Sequence, residues 1–334
     1  MKLILPTNYT PLIDGRETQK AIKFIKDTFQ KTLAERLNLD RVSAPLIVRG
    51  ETGINDDLNG VERKVEFTFG NMEGKGEVVQ SLAKWKRTAL AKYGYKVDEG
   101  IYTDMLALRR DDDLDNTHSV FVDQWDWERV ITKEDRNLDF LKKIVTVIVG
   151  CIADVKDKLM QRYFRLKSPT TREVFFITTQ ELEDAYPDLT PKERENKIAL
   201  EHGTVCVMQI GGALKSGKPH DGRAPDYDDW NLNCDILVWD YVLNSALELS
   251  SMGIRVDADS LKSQLEISGH TDRMKYDYHK GIVSGTLPLT VGGGIGQSRL
   301  CMYMLEKAHI GEVQCSVWPE ADVELLKSCN VKLL

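Results

Sequence analysis

Two consecutive runs of sequence decide the fold: Leu106-Ala-Leu-Arg-Arg-Asp-Asp-Asp-Leu114 and His118-Ser-Val-Phe-Val-Asp-Gln-Trp-Asp-Trp-Glu128. The first run is apolar up to Arg109 and then becomes acidic. The second run alternates between polar and bulky residues, as strands at the surface of a core do. The pattern predicts two strands joined by an acidic loop.

Alternation along the second run separates its side chains into two rows. Successive side chains of a strand point to opposite faces, so Gln124, Asp126 and Glu128 share one face while Trp125 and Trp127 share the other. A row with an amide and two carboxylates is costly to bury unless it meets a ligand or buried partners. The alternative is a solvated polar face over a tryptophan-lined core.

The rest of the pattern predicts an α+β fold, an antiparallel sheet flanked by helices. Runs of strands with helices segregated between them favour this class over a parallel βαβ arrangement. Asp14 is the candidate cap of the first helix. The predicted elements are helices at 16–38, 138–163 and 190–203, a hairpin from 65–69 to 78–82, strands at 39–48, 204–210, 235–242, 246–256 and 312–317, and a strand-to-helix joint at 291–305.

Composition weakens or excludes several classes of function. The 334-residue chain has 45 Lys and Arg against 52 Asp and Glu, a net charge of −7, so no basic track indicates a nucleic-acid partner. The most apolar stretch, 144–153, is about ten residues long, whereas a bilayer span needs about 20. The six cysteines contain no CxxC pair, which favours reduced thiols. We expect a cytoplasmic protein without a membrane partner.

Two segments near the end of the chain indicate nucleotide chemistry. Glu248 and Ser250 interrupt an apolar strand, and Asp235 lies on the preceding strand. Mg²⁺ is commonly held by one or two carboxylates plus phosphate oxygens, although structural ion pairing is equally consistent here. Glycines at 292–296 precede a helix, where backbone N–H groups can approach an anion. Arg299 in the first helical turn suits phosphate or stacking on a base.

Three further segments are dense in polar groups. Arg223-Ala-Pro-Asp-Tyr-Asp-Asp-Trp230 sets three carboxylates beside two aromatics, which suits an ammonium group or a surface turn. Ser81-Leu-Ala-Lys-Trp-Lys-Arg87 offers three cations, which suits a carboxylate clamp or a solvated helix face. Asn55-Asp56-Asp57 lies in a glycine-flanked loop with the same ambiguity.

Taken together, these segments resemble the class II aminoacyl-tRNA synthetase catalytic domain over about residues 16–318. Pro45 is similar to the first motif of that class, which forms a dimer interface. Arg109 with the polar row resembles the second motif, and residues 294–299 resemble the third. More narrowly, the segments at 81–87, 122–129, 223–230 and 248–257 resemble the ammonia-dependent asparagine synthetase (aspartate–ammonia ligase) family.

The resemblance implies ATP-dependent amidation of L-aspartate by free ammonia to L-asparagine, through a β-aspartyl-adenylate, with release of pyrophosphate and AMP. It implies one catalytic domain over 1–334, with 138–200 as a mainly helical insertion, and a homodimer. The implied roles are phosphate and nucleotide contacts at Arg109 and Arg299, with Ser250, Gly294 and Ser298 near the nucleotide; Mg²⁺ at Asp235 and Glu248; aspartate contacts at Ser81, Lys86, Asp126, Asp228, Ser251 and Arg255; Gln124 at the reacting centre; and ammonium steering at Asp56.

Two other functions stay open at this level. One is an adenylate-forming relative that acts on tRNA, and the other is a regulatory paralogue without activity. Arg109 is preferred to its neighbour Arg110 for the phosphate because the apolar run ends there. Glutamine is not expected as the nitrogen donor, since the first cysteine is Cys151 and no glutaminase set of Cys, His and Glu is evident.

Overall fold

The computed structural model describes residues 3–56, 58 and 62–334. Its α-helices are α1 (Gly15–Leu37), α2 (Ala83–Tyr93), α3 (Leu138–Arg162), α4 (Thr179–Ala185), α5 (Pro191–His202), α6 (Ala258–Ile267), α7 (Asp277–Val283), α8 (Gln297–Met304) and α9 (Glu320–Ser328). Its strands are β1 (Leu39–Arg41), β2 (Ile47–Arg49), β3 (Glu66–Thr68), β4 (Lys75–Val78), β5 (Gly100–Leu108), β6 (Phe121–Val130), β7 (Phe175–Thr178), β8 (Thr204–Met208), β9 (Asp228–Asp240), β10 (Ser245–Arg255) and β11 (Thr290–Gly296).

The main sheet is antiparallel except at its edges. Within the described ranges it has eight strands in the order β1-β5-β6-β11-β10-β9-β8-β7. Only the edge pairs β1–β5 and β7–β8 of this sheet are parallel. The short strands β2, β4 and β3 form a separate antiparallel sheet. The predicted α+β class with an antiparallel sheet is therefore confirmed.

The two rows of β6 lie on opposite faces of the main sheet, as the alternation predicts. Trp125 and Trp127 are fully buried. The Trp125 ring lies 4.7 Å from that of Phe29, which packs from α1. Apolar residues at steps of three and four in α1 supply the other side of this core. Asp14 occupies the N-cap position, but its side chain makes no capping hydrogen bond and instead accepts one from Lys332. The polar row is left for the opposite face.

Two predicted strands are wrong in extent or kind. Residues 39–48 divide into β1 and β2, which join different sheets, and Pro45 between them has no N–H to donate to a ladder. Residues 312–317 form no strand. The Glu312 side chain accepts the backbone N–H groups of Ala308 and His309, which closes a short turn instead. In addition, β9 begins at Asp228, seven residues before the predicted start.

The segment 138–200 is mainly helical, with α3, α4, α5 and the edge strand β7. Helix α3 contributes to the same core as α1. Its description as an insertion within a single catalytic domain stays a prediction. In the part of the chain that is described, none of the helices is long and apolar enough to cross a membrane. All six cysteines are free thiols.

Candidate active site

A cavity of about 340 Å³ lies where β6, β9, β10, β11 and the start of α8 meet. More than half of the predicted site residues line it, although they come from distant parts of the chain. These residues are Arg109, Gln124, Asp235, Glu248, Ser251, Gly294, Ser298 and Arg299. The remaining predicted residues lie outside the lining, and they are Asp56, Ser81, Lys86, Asp126, Asp228, Ser250 and Arg255.

The polar row of β6 enters a buried network of charges. Lys86 from α2 bonds to Asp126, and it also donates to the backbone carbonyls of Trp127 at 2.9 Å and Gly293 at 3.1 Å. All three ammonium protons are thus used. Burial lowers the pKa of Lys86, while the carboxylates of Asp126 and Glu128 oppose that shift. Desolvation of this ammonium is compensated only because its partners surround it.

The second half of the network centres on Arg255. Its guanidinium donates to Glu128 at 2.7 Å and also bonds to Asp228, and Thr290 donates to Glu128 at 2.6 Å. Burial alone would raise the pKa of Glu128, but the charges of Arg255 and Lys86 outweigh it and lower that pKa. The two carboxylates of the polar row are therefore buried and paired, while Gln124 is partly buried in the cavity wall, and the alternative of a solvated polar face is wrong.

The glycines of β11 make room for this polar row. Gly292 pairs with Glu128 and Gly294 with Asp126 across the sheet. A Cβ atom at Gly292 would clash with the Glu128 carboxylate, and one at Gly294 would clash with the Gln124 amide. Both glycines lie in β11, and each is required because a side chain of β6 occupies the space where a Cβ atom would be. Gly294 also lines the cavity, and its contact with a nucleotide stays a prediction.

A backbone N–H group at the N-terminus of α8 binds a side chain of the protein. The backbone N–H of Ser298 donates to Asp123 at 3.0 Å, and Asp123 lines the cavity. A helix N-terminus attracts negative charge, and here a side-chain carboxylate supplies it. Arg299, one residue further, lines the cavity and donates to the carbonyls of Thr117 and Glu248, each at 3.2 Å. Arg299 is thus held beside the space that a phosphate or a base would enter.

Two alternatives from the sequence are wrong: a solvated helix face at 81–87 and a surface turn at 223–230. Lys84, Lys86 and Arg87 of α2 are all buried, so this face of the helix is not solvated. Asp226 in the 223–230 segment is fully buried and forms ion pairs with Lys84 at 2.9 Å and with Arg273 at 3.0 Å. Burial raises the pKa of Asp226, but these cations lower it overall. The segment is a buried anchor and not a surface turn.

Arg223 is a cavity residue that the sequence analysis does not assign to the site. Its guanidinium donates to Asp235 at 2.6 Å and bonds to Ser251. Its Nε has no hydrogen-bond partner within the described part of the chain. A single arginine in a loop has no periodic pattern. Only its place as the first residue of the 223–230 segment, which carries the family resemblance, could have indicated that it belongs to the site. His118, Phe121, Asp123 and Gln314 also line the cavity without having been predicted.

Asp235 and Glu248 face the same cavity from neighbouring strands. Burial raises the pKa of Asp235 to about 7; the charge of Glu248 adds to this, and the Arg223 guanidinium opposes it. Among residues 3–56, 58 and 62–334, no three His, Cys, Asp or Glu side chains form a group that could hold a metal ion. Two adjacent carboxylates fit Mg²⁺ where phosphate oxygens complete its ligands.

The predicted phosphate contact at Arg109 and the 55–57 segment remain to be placed. Arg109 is half-buried in the cavity lining, whereas Arg110 is exposed and outside it. Asp56 is buried, and Gln80 donates to its backbone carbonyl at 2.9 Å. The Asp56 charge contributes to the raised pKa of Tyr227, which is due first to burial, and Tyr227 lines the cavity. Asp57 lies outside the described residues.

Comparison with known proteins identifies close relatives along the whole chain. A family model described as aspartate-ammonia ligase matches residues 16–330. An aspartate–ammonia ligase from Levilactobacillus brevis is 53% identical over 335 residues, which is 100% of both chains. One from Bacillus thuringiensis is 56% identical over 325 residues, 97% of this chain and 99% of the relative.

Solved structures with the same fold are more distant in sequence. The asparaginyl-tRNA synthetase of Pyrococcus horikoshii, complexed with asparaginyl-adenylate, has a TM-score of 0.64 at 17% identity, covering 90% of this chain and 70% of that one. The aspartyl-tRNA synthetase of Entamoeba histolytica has a TM-score of 0.59 at 17% identity, covering 90% and 58%. The fold is thus that of class II aminoacyl-tRNA synthetase catalytic domains.

The buried network predicts a large stability effect at Lys86. Lys86→Met removes one charge and leaves Asp126 buried without its partner, which should lower the free energy of unfolding by about 3–5 kcal/mol. Urea denaturation followed by circular dichroism measures this difference. Lys92→Met, at the exposed end of the same helix, is the matched control and should change little. Equal effects of the two substitutions would contradict the ion-pair assignment.

Proposed function

The chain belongs to the aspartate–ammonia ligase family, and we propose how its cavity carries out the reaction of that family. The enzyme joins L-aspartate and ammonia to form L-asparagine, and the reaction uses ATP. One observation carries the proposal: Arg109, Gln124, Asp235, Glu248 and Arg299 come from five separate parts of the chain and line one cavity. Cations, carboxylates and an amide are the groups that a triphosphate and a dicarboxylic amino acid require together.

In the first step, the side-chain carboxylate of aspartate attacks the α-phosphorus of ATP. A new O–P bond forms, the bond to the β-phosphate oxygen breaks, and pyrophosphate leaves. Arg109 and Arg299 stabilise the negative charge that grows on the phosphate oxygens. The protein supplies little covalent chemistry, so positioning and charge account for most of the rate. The synthetase of the same fold that holds asparaginyl-adenylate supports an adenylate here.

Arg223 orients the reacting carboxylate in this proposal. Asp235 and Ser251 hold two of its nitrogens, so the plane of the guanidinium is fixed before the substrate binds. Its Nε is buried and has no hydrogen-bond partner in the described chain, so a carboxylate that reached it would satisfy a group that the protein leaves unpaired. Arginine and carboxylate form strong, directional hydrogen bonds, which suits the alignment of an attacking oxygen.

Mg²⁺ belongs with Asp235 and Glu248 in this proposal. Both carboxylates line the cavity, and a bound cation would oppose the rise in the pKa of Asp235, which is due first to burial and then to the charge of Glu248. Bound Mg²⁺ would neutralise phosphate charge beside the two arginines. No other protein ligand is required, because Mg²⁺ usually keeps waters and substrate oxygens in its coordination shell.

In this proposal, the α-ammonium and α-carboxylate groups of the substrate aspartate are assigned to the buried network of charges and to residues at its edge. The predicted contacts of the α-ammonium with Asp126 and Asp228, and of the α-carboxylate with Ser81, Lys86, Ser251 and Arg255, stay predictions. Ser251 lines the cavity, whereas the Lys86–Asp126 and Arg255–Asp228 pairs are buried outside its lining. A substrate ammonium or carboxylate would therefore have to replace a contact within these pairs. Ser250 also lies here, and its hydroxyl donates to the carbonyl of Gly294 at 3.0 Å.

In the second step, ammonia attacks the β-carbonyl carbon of the adenylate. A C–N bond forms, AMP leaves as its phosphate oxygen takes the electron pair, and one proton is lost from nitrogen. Asp56 would draw in ammonium and accept a proton, since it is buried and close enough to affect the ionisation of the cavity residue Tyr227. Gln124 would contact the reacting centre from the cavity wall.

Two copies of the chain should associate through the side of the molecule that carries Pro45. Leu46, Ile47 and Leu106 are exposed there. Val79 joins their two segments, because its N–H donates to the Leu46 carbonyl at 3.0 Å and its carbonyl accepts from Leu108 at 3.2 Å. Exposed apolar side chains on adjacent segments favour an interface. A cytoplasmic location also stays a prediction, and six free thiols are compatible with a reducing compartment.

Sedimentation equilibrium tests the association. The wild-type chain should have about twice its mass of 37.9 kDa, and Leu106→Asp should shift it toward a single chain because a buried, unpaired charge opposes the contact. Ile267→Asp, at an exposed site at the end of α6, is the matched control and should remain associated. A single-chain mass for the wild type would refute the proposed dimer.

A product assay tests the reaction itself. Purified protein with ATP, Mg²⁺, aspartate and ammonium should give asparagine, AMP and pyrophosphate in equal amounts, as resolved by chromatography. Formation of ADP would exclude the adenylate route. Replacement of ammonium by glutamine should reduce asparagine formation nearly to zero, and undiminished activity would show that nitrogen is not drawn from free ammonia.

The choice between the two neighbouring arginines is testable by rate. Arg109→Ala should lower kcat by about 10²–10³-fold, since it removes a cation from the developing phosphate charge. Arg110→Ala is the matched control and should stay within about threefold, because its side chain is exposed outside the cavity. Steady-state kinetics at saturating substrates measures both. A larger loss at Arg110 would reverse the assignment.

A further inference from the structure

Gln314 is a buried amide in the cavity lining with one unused acceptor. Its side chain is 5% exposed, and it follows the short turn Ile310–Glu312. Its Oε1 has no hydrogen-bond partner in the residues that the structure describes. Buried carbonyl oxygens are nearly always paired, so an orphaned one beside a substrate cavity calls for a donor. None of the steps proposed above uses this residue.

Two contacts determine which end of the amide is free. Nε2 lies 3.0 Å from the Ser298 hydroxyl oxygen and 3.4 Å from Oδ1 of Asp123. Asp123 already accepts from the backbone N–H of Ser298 and from Lys26, each at 3.0 Å, so it acts as an acceptor toward its neighbours. A rotated amide would set two oxygens against each other. The nitrogen therefore faces Asp123, and the oxygen is the free end.

The surroundings of Gln314 suit a flat base. Residues 314–316 run beside the start of β6, since Ser316 bonds to Ser119 at 2.7 Å and Gln314 contacts Asp123. Phe121 lies between these two contacts along β6, and it lines the cavity. Ile310 adds an apolar side chain to the same lining. An aromatic ring and an aliphatic group contact the faces of a base, and a single acceptor can recognise an N–H group at its edge.

We propose that Gln314 selects adenine among the purines, with Oε1 accepting a hydrogen bond from the exocyclic amino group of ATP. Guanine and hypoxanthine carry a carbonyl oxygen at that position, so two acceptors would face each other. A site that is built to pair an N–H group discriminates against the analogue without it, because its own polar atom is then left unpaired. The inference rests on the proposed use of ATP and adds its base specificity.

Kinetics with ATP and ITP test this role. The wild type should prefer ATP to ITP by at least about tenfold in kcat/KM, which is the range of one hydrogen bond. Gln314→Met keeps the length of the side chain and removes the amide, so it should lose about tenfold with ATP and little with ITP. Gln19→Met, at an exposed position on α1, is the matched control and should keep the wild-type ratio. An unchanged ratio in Gln314→Met would overturn the proposal.

Two further measurements separate the remaining outcomes. Thermal stabilisation of the wild type by ATP should exceed that by ITP at equal concentration, and this readout holds even if the variant folds poorly. If Gln314→Met instead loses only the discrimination between ATP and 2′-deoxy-ATP, the residue reads the ribose and the proposal is wrong. Absence of the corresponding nucleoside monophosphate with every nucleotide would refute the proposed function, whereas equal use of ATP and ITP refutes the role of Gln314 alone.

Discussion

Burial of the polar row on β6 is the constraint on which the rest of the site depends. Asp126 and Glu128 are almost without exposure in the middle of the main sheet. Uncompensated carboxylates in such a place would not stay ionised. Lys86 from α2 and Arg255 from β10 supply the opposite charge. The carboxylates of β6 therefore require that α2 and β10 pack where their cations can reach them. The side chains of the same row also require the glycines of β11.

Local patterns in the sequence predict the elements well where the period is regular. The alternation of β6 and the helical spacing of α1 depend only on residues a few positions apart, and both are confirmed. The late strand at 312–317 is wrong because the chain makes a short helical turn at Ile310–Glu312, and the Glu312 side chain closes it by accepting the backbone N–H groups of residues 308 and 309. A carboxylate that closes a turn leaves no periodic trace in the sequence.

The partners of charged residues could not be derived from spacing. Whether Lys84 and Lys86 face water or the core depends on carboxylates that lie about 40 to 140 positions away along the chain. Arg87 of the same helix donates to the backbone carbonyls of Val256 and Pro288, which are more distant still. The same limit applies to the packing role of the glycines, since Gly292 is required by the side chain of Glu128 on the next strand. Arg223 and Gln314 are single residues in irregular segments, and only their neighbours in space give them meaning.

The protein's own groups orient two cations of the cavity, and in the proposed reaction this orientation would favour the transition state. Asp235 and Ser251 hold Arg223, while the carbonyls of Thr117 and Glu248 hold Arg299. Side chains fixed in this way need little reorganisation as negative charge moves onto the phosphate oxygens. Flexible cations would instead have to be ordered during the reaction, at a cost in entropy. The fold supplies rigid strands, and these local contacts make the site specific to its chemistry.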